Sequence, residues 1–151
     1  MFFDQQIALL NKQVNSKEMA FQMLTDEFLK NQCVTEEYFE NVVKRETIFP
    51  TGLMINGIGV AIPHTDSQYV KKSQIGFLSL ATPLPFIEMG TSDKEIPVSL
   101  IFMLALKEPH EQLQMLQNLI EMFQKKGVLE KLKAIQQVED YFHILRQYGL
   151  Q

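Results

Sequence analysis

Residues 96–106 of this chain read IPVSLIFMLAL, a nearly unbroken apolar run with charged residues on both sides. The run is too short to cross a bilayer, which takes about 20 apolar residues in a helix. A strand that is apolar on both faces is typical of the centre of a sheet that is covered by helices on each side. The run therefore predicts a central strand, and the other elements should form around it.

Two shorter segments before this run have the period of a strand, with apolar side chains at every second residue. Both are expected to join the central strand in one sheet, and residues 85–89 are compatible with a further short strand. The alternating positions are Ile58, Val60 and Ile62 in the first segment and Ile75 and Phe77 in the second, with Leu80 three residues further on.

Helical spacing precedes the strands. Ser16 and Thr35 can each cap a helix, because a hydroxyl in that position accepts a hydrogen bond from a free backbone N–H. The second of these helices should end before Pro50, since proline disfavours helical geometry in the residue before it. The apolar positions that support the two helices are Met19, Met23, Leu24 and Phe28, then Phe39, Val42 and Val43.

Helical spacing also follows the central strand. Pro109 suits the first turn of a helix, and an apolar stripe predicts that this helix continues towards Lys126. Two more helices are predicted near residues 128–135 and 138–148. The stripe consists of Leu113, Leu116, Leu119, Ile120 and Phe123.

Helices, then strands, then helices indicate an α/β or α+β fold, in which a mixed central sheet is flanked by helices. The 151 residues are enough for a real hydrophobic core. We therefore expect a single domain over residues 1–151, arranged as a sandwich of helices and sheet.

Composition excludes several classes of function. The formal net charge of −4, with no local basic stripe, argues against nucleic-acid binding. No segment has the dense lysine face of a membrane-surface helix, and no direct membrane insertion is expected. One cysteine gives no disulfide framework, and residues 1–4 lack the basic start of a secretory signal, so the expected location is cytoplasmic.

The segment GIGVAIPHTD, residues 57–66, holds the main candidate for chemistry. Pro63 has no N–H for a sheet ladder, so the strand should stop pairing there or lie at an edge, and His64 should project outward. A neutral imidazole is a nucleophile near physiological pH without a separate base, and the Thr65 hydroxyl could hold a phosphoryl oxygen or fix the imidazole tautomer. From the residue alone, an ordinary surface histidine is the commoner outcome.

Three segments, in this order, resemble the enzyme IIA proteins of the bacterial phosphoenolpyruvate-dependent sugar phosphotransferase system, mannitol/fructose (type 2) class. They are RETIFPTG at 45–52, GIGVAIPH at 57–64, and the apolar strand at 96–106 with the helix that follows it. The resemblance covers about residues 16–148 and looks closest to the galactitol branch. The matching positions around the histidine are Gly57, Val60, Ala61, Ile62, Pro63 and His64.

The resemblance implies a phosphotransferase of the phosphocarrier kind. The histidine that matches His64 accepts a phosphoryl group from the small histidine phosphocarrier protein and passes it to a cysteine of the sugar-specific IIB component. The protein would not bind the sugar, and no cofactor or metal is implied. Two docking partners require a surface around His64, for which Phe49, Leu53, Met54 and Tyr69 are candidates, with burial in the core as the alternative.

The resemblance also implies which residues stabilise the phosphoryl group. Arg45 matches the family arginine near the active histidine; a guanidinium can bind two phosphoryl oxygens at once, although a solvated charge at a helix end is the alternative. Many members carry a second histidine where this chain has Gln112, and His110 lies two residues earlier. The two positions differ by about 200° around a helix, so only one should face the site, and Gln112 is favoured by alignment. Many members have a smaller residue than Thr65 after the active histidine.

An alternative function stays open, because IIA-like domains also occur as regulatory modules in which phosphorylation of the histidine controls a partner. The absence of residues for a fused DNA-binding domain favours transport. Cys33 is expected to be a structural or inert thiol, since it has no basic partner nearby in sequence, and His143 is expected to be a surface or boundary residue. Metal binding is not expected, because no two histidines lie at i, i+4 and no cysteine pair exists.

Overall fold

The computed structural model describes residues 1–150, which form one mixed sheet between two layers of helices. This is the α/β class that the sequence predicts. In chain order the elements are β1 (Ala8–Lys12), α1 (Lys17–Lys30), α2 (Tyr38–Ile48), β2 (Gly52–Ile55), β3 (Ile58–Ala61), a single 3₁₀ turn (Ser67–Tyr69), β4 (Gln74–Ile87), β5 (Glu95–Ala105), α3 (Pro109–Phe123), α4 (Val128–Ala134) and α5 (Val138–Gln147).

The apolar run forms β5, the middle strand of five in the order β1-β4-β5-β3-β2. β5 is antiparallel to β4 and parallel to β3, whereas β2 is antiparallel to β3 and β1 is parallel to β4. Gly59 lets β3 approach β5 closely, since a Cβ at this position would collide with the carbonyl oxygen of Pro97. Because β3 and β5 are parallel, their carboxyl ends lie at the same edge of the sheet, where α3 begins.

Alternation along β5 divides the core into two parts. Leu100, Phe102 and Leu104 face the layer of α3, α4 and α5, while Ile101 and Met103 face the layer of α1 and α2. All five side chains are buried, as expected for a strand covered on both faces. The sheet is thus a stiff support whose two helical layers both reach the carboxyl edge of β3 and β5.

Most of the predicted helix boundaries are confirmed. The Ser16 hydroxyl accepts the Met19 N–H at 3.1 Å, α2 ends at Ile48 before Pro50, and Pro109 opens α3. The predicted cap by Thr35 is wrong: Glu37 occupies the N-cap of α2 without a side-chain cap, and the buried Thr35 hydroxyl has no hydrogen-bond partner. Within residues 1–150, no helix is both long and apolar enough to span a membrane.

Three details of the pattern differ from the prediction. Residues 85–87 continue β4 past an irregularity in its pairing with β5 instead of forming a separate strand. Strand β2 pairs with β3 through a turn in which Asn56 and Gly57 both have positive φ, 51° and 83°, the geometry of a two-residue hairpin. Leu113 is 64% exposed, because the buried face of α3 runs through Met115, Leu119 and Met122, and Leu113 points well away from Met115 around the helix.

Candidate functional site

His64 lies just beyond the carboxyl end of β3, where the chain still follows β5. The Leu104 N–H donates to the carbonyl oxygen of Pro63 at 3.0 Å, and His64 pairs with Leu104 as an isolated parallel bridge. Pro63 takes part in this bond through its carbonyl group, so the N–H that proline lacks is not needed for it. The strand end is therefore fixed to the central strand, and the half-buried His64 lies at the edge of the sheet.

One hydrogen bond defines the tautomer of His64. Its Nδ1 lies 2.9 Å from the carbonyl oxygen of Ile62, and a carbonyl oxygen can only accept. Nδ1 must therefore carry the proton, which leaves the lone pair on Nε2. A neutral imidazole in this tautomer presents one nucleophilic nitrogen and keeps the other bonded to the backbone.

The surroundings favour the neutral ring. Burial lowers the pKa of His64 below its usual value, and the positive charge of Arg45 acts in the same direction. The hydrogen bond to the Ile62 carbonyl and the negative charge of Asp66 act in the opposite direction. Because the net pKa is lowered, the imidazole is neutral at pH 7 and its Nε2 lone pair is free.

Arg45 lies in the last turn of α2 and reaches the segment after His64. Its Nη1 is 3.7 Å from Oδ1 of Asp66, and its guanidinium carbon is 5.1 Å from the centre of the Phe49 ring. A guanidinium over an aromatic face gains a cation–π attraction and keeps its planar edge free for hydrogen bonds. With its side chain 37% exposed, Arg45 is held in place and still open to an anion.

Gln112 and His110, the two rival positions in α3, have different environments. The Gln112 side-chain amide donates to the carbonyl oxygen of Thr65 at 3.2 Å, so Gln112 contacts the segment that carries His64. His110 is exposed. The structure thus brings together His64, Thr65, Arg45 and Gln112, with Thr65 buried at 5% exposure.

A shallow depression of about 200 Å³ adjoins this cluster. It is bordered by α2 on one side and by the segment after His64 on the other, with Lys44 and Arg45 contributing positive charge. Among the docking candidates, Phe49 and Met54 are exposed, whereas Leu53 and Tyr69 are half-buried against the core. The lining residues are Asn41, Lys44, Arg45, Ile48, Phe49, Thr65 and Asp66.

Two residues at the site were missed by the sequence reasoning, Glu46 and Thr51. Glu46 is buried, and both its carboxylate oxygens accept hydrogen bonds from Thr51, one from the N–H at 2.9 Å and one from the hydroxyl at 2.8 Å. Burial raises the pKa of Glu46 to about 7, although the hydrogen bonds from Thr51 act to lower it. The only signal in the sequence was a carboxylate next to Arg45 at the end of a helix, a position where a solvated charge is the ordinary expectation.

The other candidates lie apart from this cluster. Cys33 is buried and free, with the pKa of its thiol raised by burial, and His143 is exposed. In the part of the chain that the structure describes, no three histidine, cysteine, aspartate or glutamate side chains form a group that could hold a metal ion.

The family follows from comparison of the whole chain with known proteins. Residues 1–148 match the sequence model of the phosphoenolpyruvate-dependent sugar phosphotransferase system, EIIA 2. The chain therefore belongs to this family, as the three resembling segments predict, and membership supports a role in phosphoryl transfer.

Individual relatives include both a transport component and a regulator. The galactitol-specific EIIA component of the phosphotransferase system of Escherichia coli K12 is 29% identical over 119 residues, which cover 78% of this chain and 79% of the relative. The transcriptional regulator ManR of Bacillus subtilis 168 is 30% identical over 113 residues, 75% of this chain but 16% of that protein. This chain is therefore similar to most of a transport component and to one part of a longer regulator.

Solved structures share the fold. Enzyme IIAMTL of Escherichia coli, determined in complex with phosphorylated enzyme IIBMTL, superposes with a TM-score of 0.77 at 20% sequence identity. The match covers 94% of this chain and 95% of that one. This likeness shows a common architecture of sheet and helices.

Proposed function

We propose that this protein is a phosphocarrier of the galactitol-type IIA kind, which takes a phosphoryl group on Nε2 of His64 and passes it on to a second protein. The strongest support is the hydrogen bond from Nδ1 to the carbonyl of Ile62, because it leaves a single nucleophilic nitrogen at the edge of the sheet. Family membership over residues 1–148 supplies the reaction class.

The proposed donor is the histidine phosphocarrier protein, and the proposed acceptor is a cysteine of the IIB component. In the first step the Nε2–P bond of His64 forms as the N–P bond of the donor breaks, and in the second the phosphoryl group moves to the thiolate of the acceptor. Transfer between two imidazoles is nearly balanced, so the protein needs mainly to position the groups and neutralise charge. Arg45 and the Thr65 hydroxyl are the groups proposed to do so.

Transfer between proteins requires a docking surface, and several exposed apolar side chains near the site are suited to this purpose. Phe49, Ile48 and Leu113 are at least 59% exposed, and the first two border the depression beside Asp66. Exposed apolar groups with a charged rim are typical of protein contacts. Because the partners are proteins, we infer that the sugar does not bind to this protein.

We also infer that residues 1–151 act as one domain. A single cysteine, which gives no disulfide, favours the reducing cytoplasm as the location of the protein.

Mass spectrometry after incubation with phosphoenolpyruvate and the two general phosphotransferase proteins tests this function. We expect one acid-labile phosphoryl group, mapped to the peptide that contains His64, because the other two histidines lie outside the cluster. Addition of a IIB component should remove the group, while a IIB variant without its cysteine should not. Absence of phosphorylation, or its mapping to His110 or His143, would contradict the proposal.

A regulatory role is the second candidate, and the match to ManR is the observation that favours it. In that case phosphorylation at His64 would change the affinity for a partner instead of delivering the phosphoryl group to IIB. The last step of the same experiment separates the two functions. A phosphorylated form that persists in the presence of IIB components would favour regulation.

We also expect Gln112→Ala and His110→Ala to differ. The Gln112 amide holds the carbonyl of Thr65, and loss of one such hydrogen bond costs about 0.5–1.5 kcal/mol. Initial rates of phosphoryl acceptance should therefore fall by roughly threefold to tenfold in Gln112→Ala, and stay near the wild-type rate in His110→Ala because His110 is exposed.

Gln114→Ala is the matched control for this comparison. Gln114 lies on the same helix, is exposed, and uses its amide to bond Asn118 at 3.0 Å. If Gln112→Ala and Gln114→Ala have equal rates, the contact with Thr65 has no part in transfer. A larger loss in His110→Ala than in Gln112→Ala would assign the role to His110.

A further inference from the structure

Glu46 is a carboxyl group that the proposed chemistry does not use, yet it is 3% exposed. It follows Arg45 in the last turn of α2. A carboxylate is costly to bury unless its oxygens are hydrogen-bonded. Both oxygens of Glu46 are bonded, and both to one residue, Thr51. The positive charge of Lys17 on α1 also acts to lower its pKa.

Thr51 connects this carboxyl group to the strand that carries His64. The Thr51 hydroxyl has one hydrogen, which it donates to Oε1 of Glu46. Its oxygen is left to accept, and it receives the N–H of Ile62 at 3.2 Å. Thr51 and Ile62 lie one step beyond Gly52 and Ala61, the end pair of the β2–β3 ladder. A side-chain bond here extends the hairpin at the point where β3 ends.

The carbonyl group of Ile62 binds the imidazole of His64. The carbonyl of Ile62 accepts the proton on Nδ1 of His64 at 2.9 Å. The Glu46 carboxylate, the Thr51 hydroxyl and the Ile62 main chain thus form a continuous series that ends at His64. When Glu46 is ionised, every donor in this series is fixed by the number of hydrogens on each group.

We propose that Glu46 and Thr51 are positioning residues for His64, which orient the main chain at Ile62 so that its carbonyl takes the Nδ1 proton and Nε2 is the free nitrogen. The same contacts join the helix turn that carries Arg45 to the strand end that carries His64. The geometry of the guanidinium and of the imidazole is therefore set together. The consequence for transfer rests on the proposed function, whereas the consequence for the tautomer does not.

Nitrogen NMR of the imidazole rings tests the inference directly. In the ¹⁵N-labelled wild-type protein we expect His64 to have a protonated Nδ1 and an unprotonated Nε2. Thr51→Val keeps the shape of the side chain and removes the hydroxyl, so we expect a mixture of both tautomers. Thr51→Ser restores the hydroxyl and should restore the wild-type spectrum. A single wild-type tautomer in Thr51→Val would overturn the inference.

Phosphoryl acceptance provides the second readout. Loss of a hydrogen bond that orients the reacting group should slow the initial rate by roughly fivefold to twentyfold in Thr51→Val, with recovery to within about twofold in Thr51→Ser. Thr47→Val is the matched control, because Thr47 is an exposed threonine of α2 whose hydroxyl bonds the Val43 carbonyl at 3.1 Å. An equal loss of rate in Thr47→Val would mean that Thr51 acts only through general stability.

A second variant keeps the test decisive if Thr51→Val does not fold. Glu46→Gln turns one accepting oxygen into a donor facing Thr51. Compared with the wild type at a pH above the Glu46 pKa of about 7, where the carboxyl group is ionised, this variant should show the tautomer mixture too; an unchanged tautomer would overturn the inference. The two proposals fail separately. Without phosphorylation of the wild-type protein, the proposed function is lost but the tautomer result stands. Normal phosphorylation with an unchanged tautomer and rate in Thr51→Val removes only the positioning role.

Discussion

His64→Ala should be folded and unable to accept a phosphoryl group from the histidine phosphocarrier protein. Nε2 of His64 is the proposed attacking atom, and alanine has no atom that can replace it. The fold should survive, because the lost bond to the Ile62 carbonyl costs about 1 kcal/mol, whereas domains have about 5–15 kcal/mol of stability. Intact-mass spectrometry detects the phosphoryl group, and thermal unfolding checks the fold.

His110→Ala and His143→Ala are matched controls for this variant, since they remove the other two histidines of the chain, both exposed. Each should accept one phosphoryl group as the wild-type protein does. Acid-labile phosphate in folded His64→Ala would remove His64 from the reaction. Loss of acceptance in His143→Ala instead would move the site to α5.

The sheet could be predicted from the sequence because its centre has a simple physical pattern. A strand covered on both faces must be apolar at nearly every position, and the run 96–106 fulfils this except at Ser99, which is buried. Helices α1 and α3 were also recognisable, since Ser16 and Pro109 mark helix starts for local reasons. Such signals depend on few residues and on no distant contact.

The differences arise where tertiary contacts decide the structure. Leu113 belongs to an apolar pattern that predicts burial in the core, yet the packing of α3 on β5 leaves it exposed. Thr35 has the chemistry of a cap, but its segment is fixed by main-chain bonds to Tyr69 and Tyr38 instead. The Asn56-Gly57 turn was a recognisable hairpin signal that could have identified β2.

The site was predictable for residues whose chemistry is unusual in their position. A lone histidine after a proline at a strand end, and an arginine at the end of a helix, can be noticed in the sequence. Glu46 and Thr51 could not, because their importance depends on burial and on a bond to the main chain of Ile62, eleven residues beyond Thr51. A glutamate in the last turn of a helix and a threonine in the loop after it carry no local sign of such a contact.

Arg45→Lys should slow phosphoryl transfer by about 10–100-fold, less than the roughly 10²–10³-fold loss that follows removal of a donor that stabilises developing charge. Lysine keeps the positive charge, but it has no planar fork for two phosphoryl oxygens. It also loses the stacking on the Phe49 ring that holds the guanidinium in place. Stability should change by less than about 1 kcal/mol, because an exposed pair such as Arg45–Asp66 contributes little.

Initial rates of phosphoryl acceptance, together with denaturant unfolding, measure this prediction. Lys44→Ala is the matched control, because Lys44 is an exposed cation that borders the same depression as Arg45. If the guanidinium geometry matters, Lys44→Ala should have a rate within about twofold of the wild type, the modest effect expected of a screened surface charge. Equal rates for Arg45→Lys and the wild type would mean that Arg45 is an ordinary solvated charge at the end of α2. Equal losses in Arg45→Lys and Lys44→Ala would mean that net charge, and not the fork of the guanidinium, is what the reaction needs.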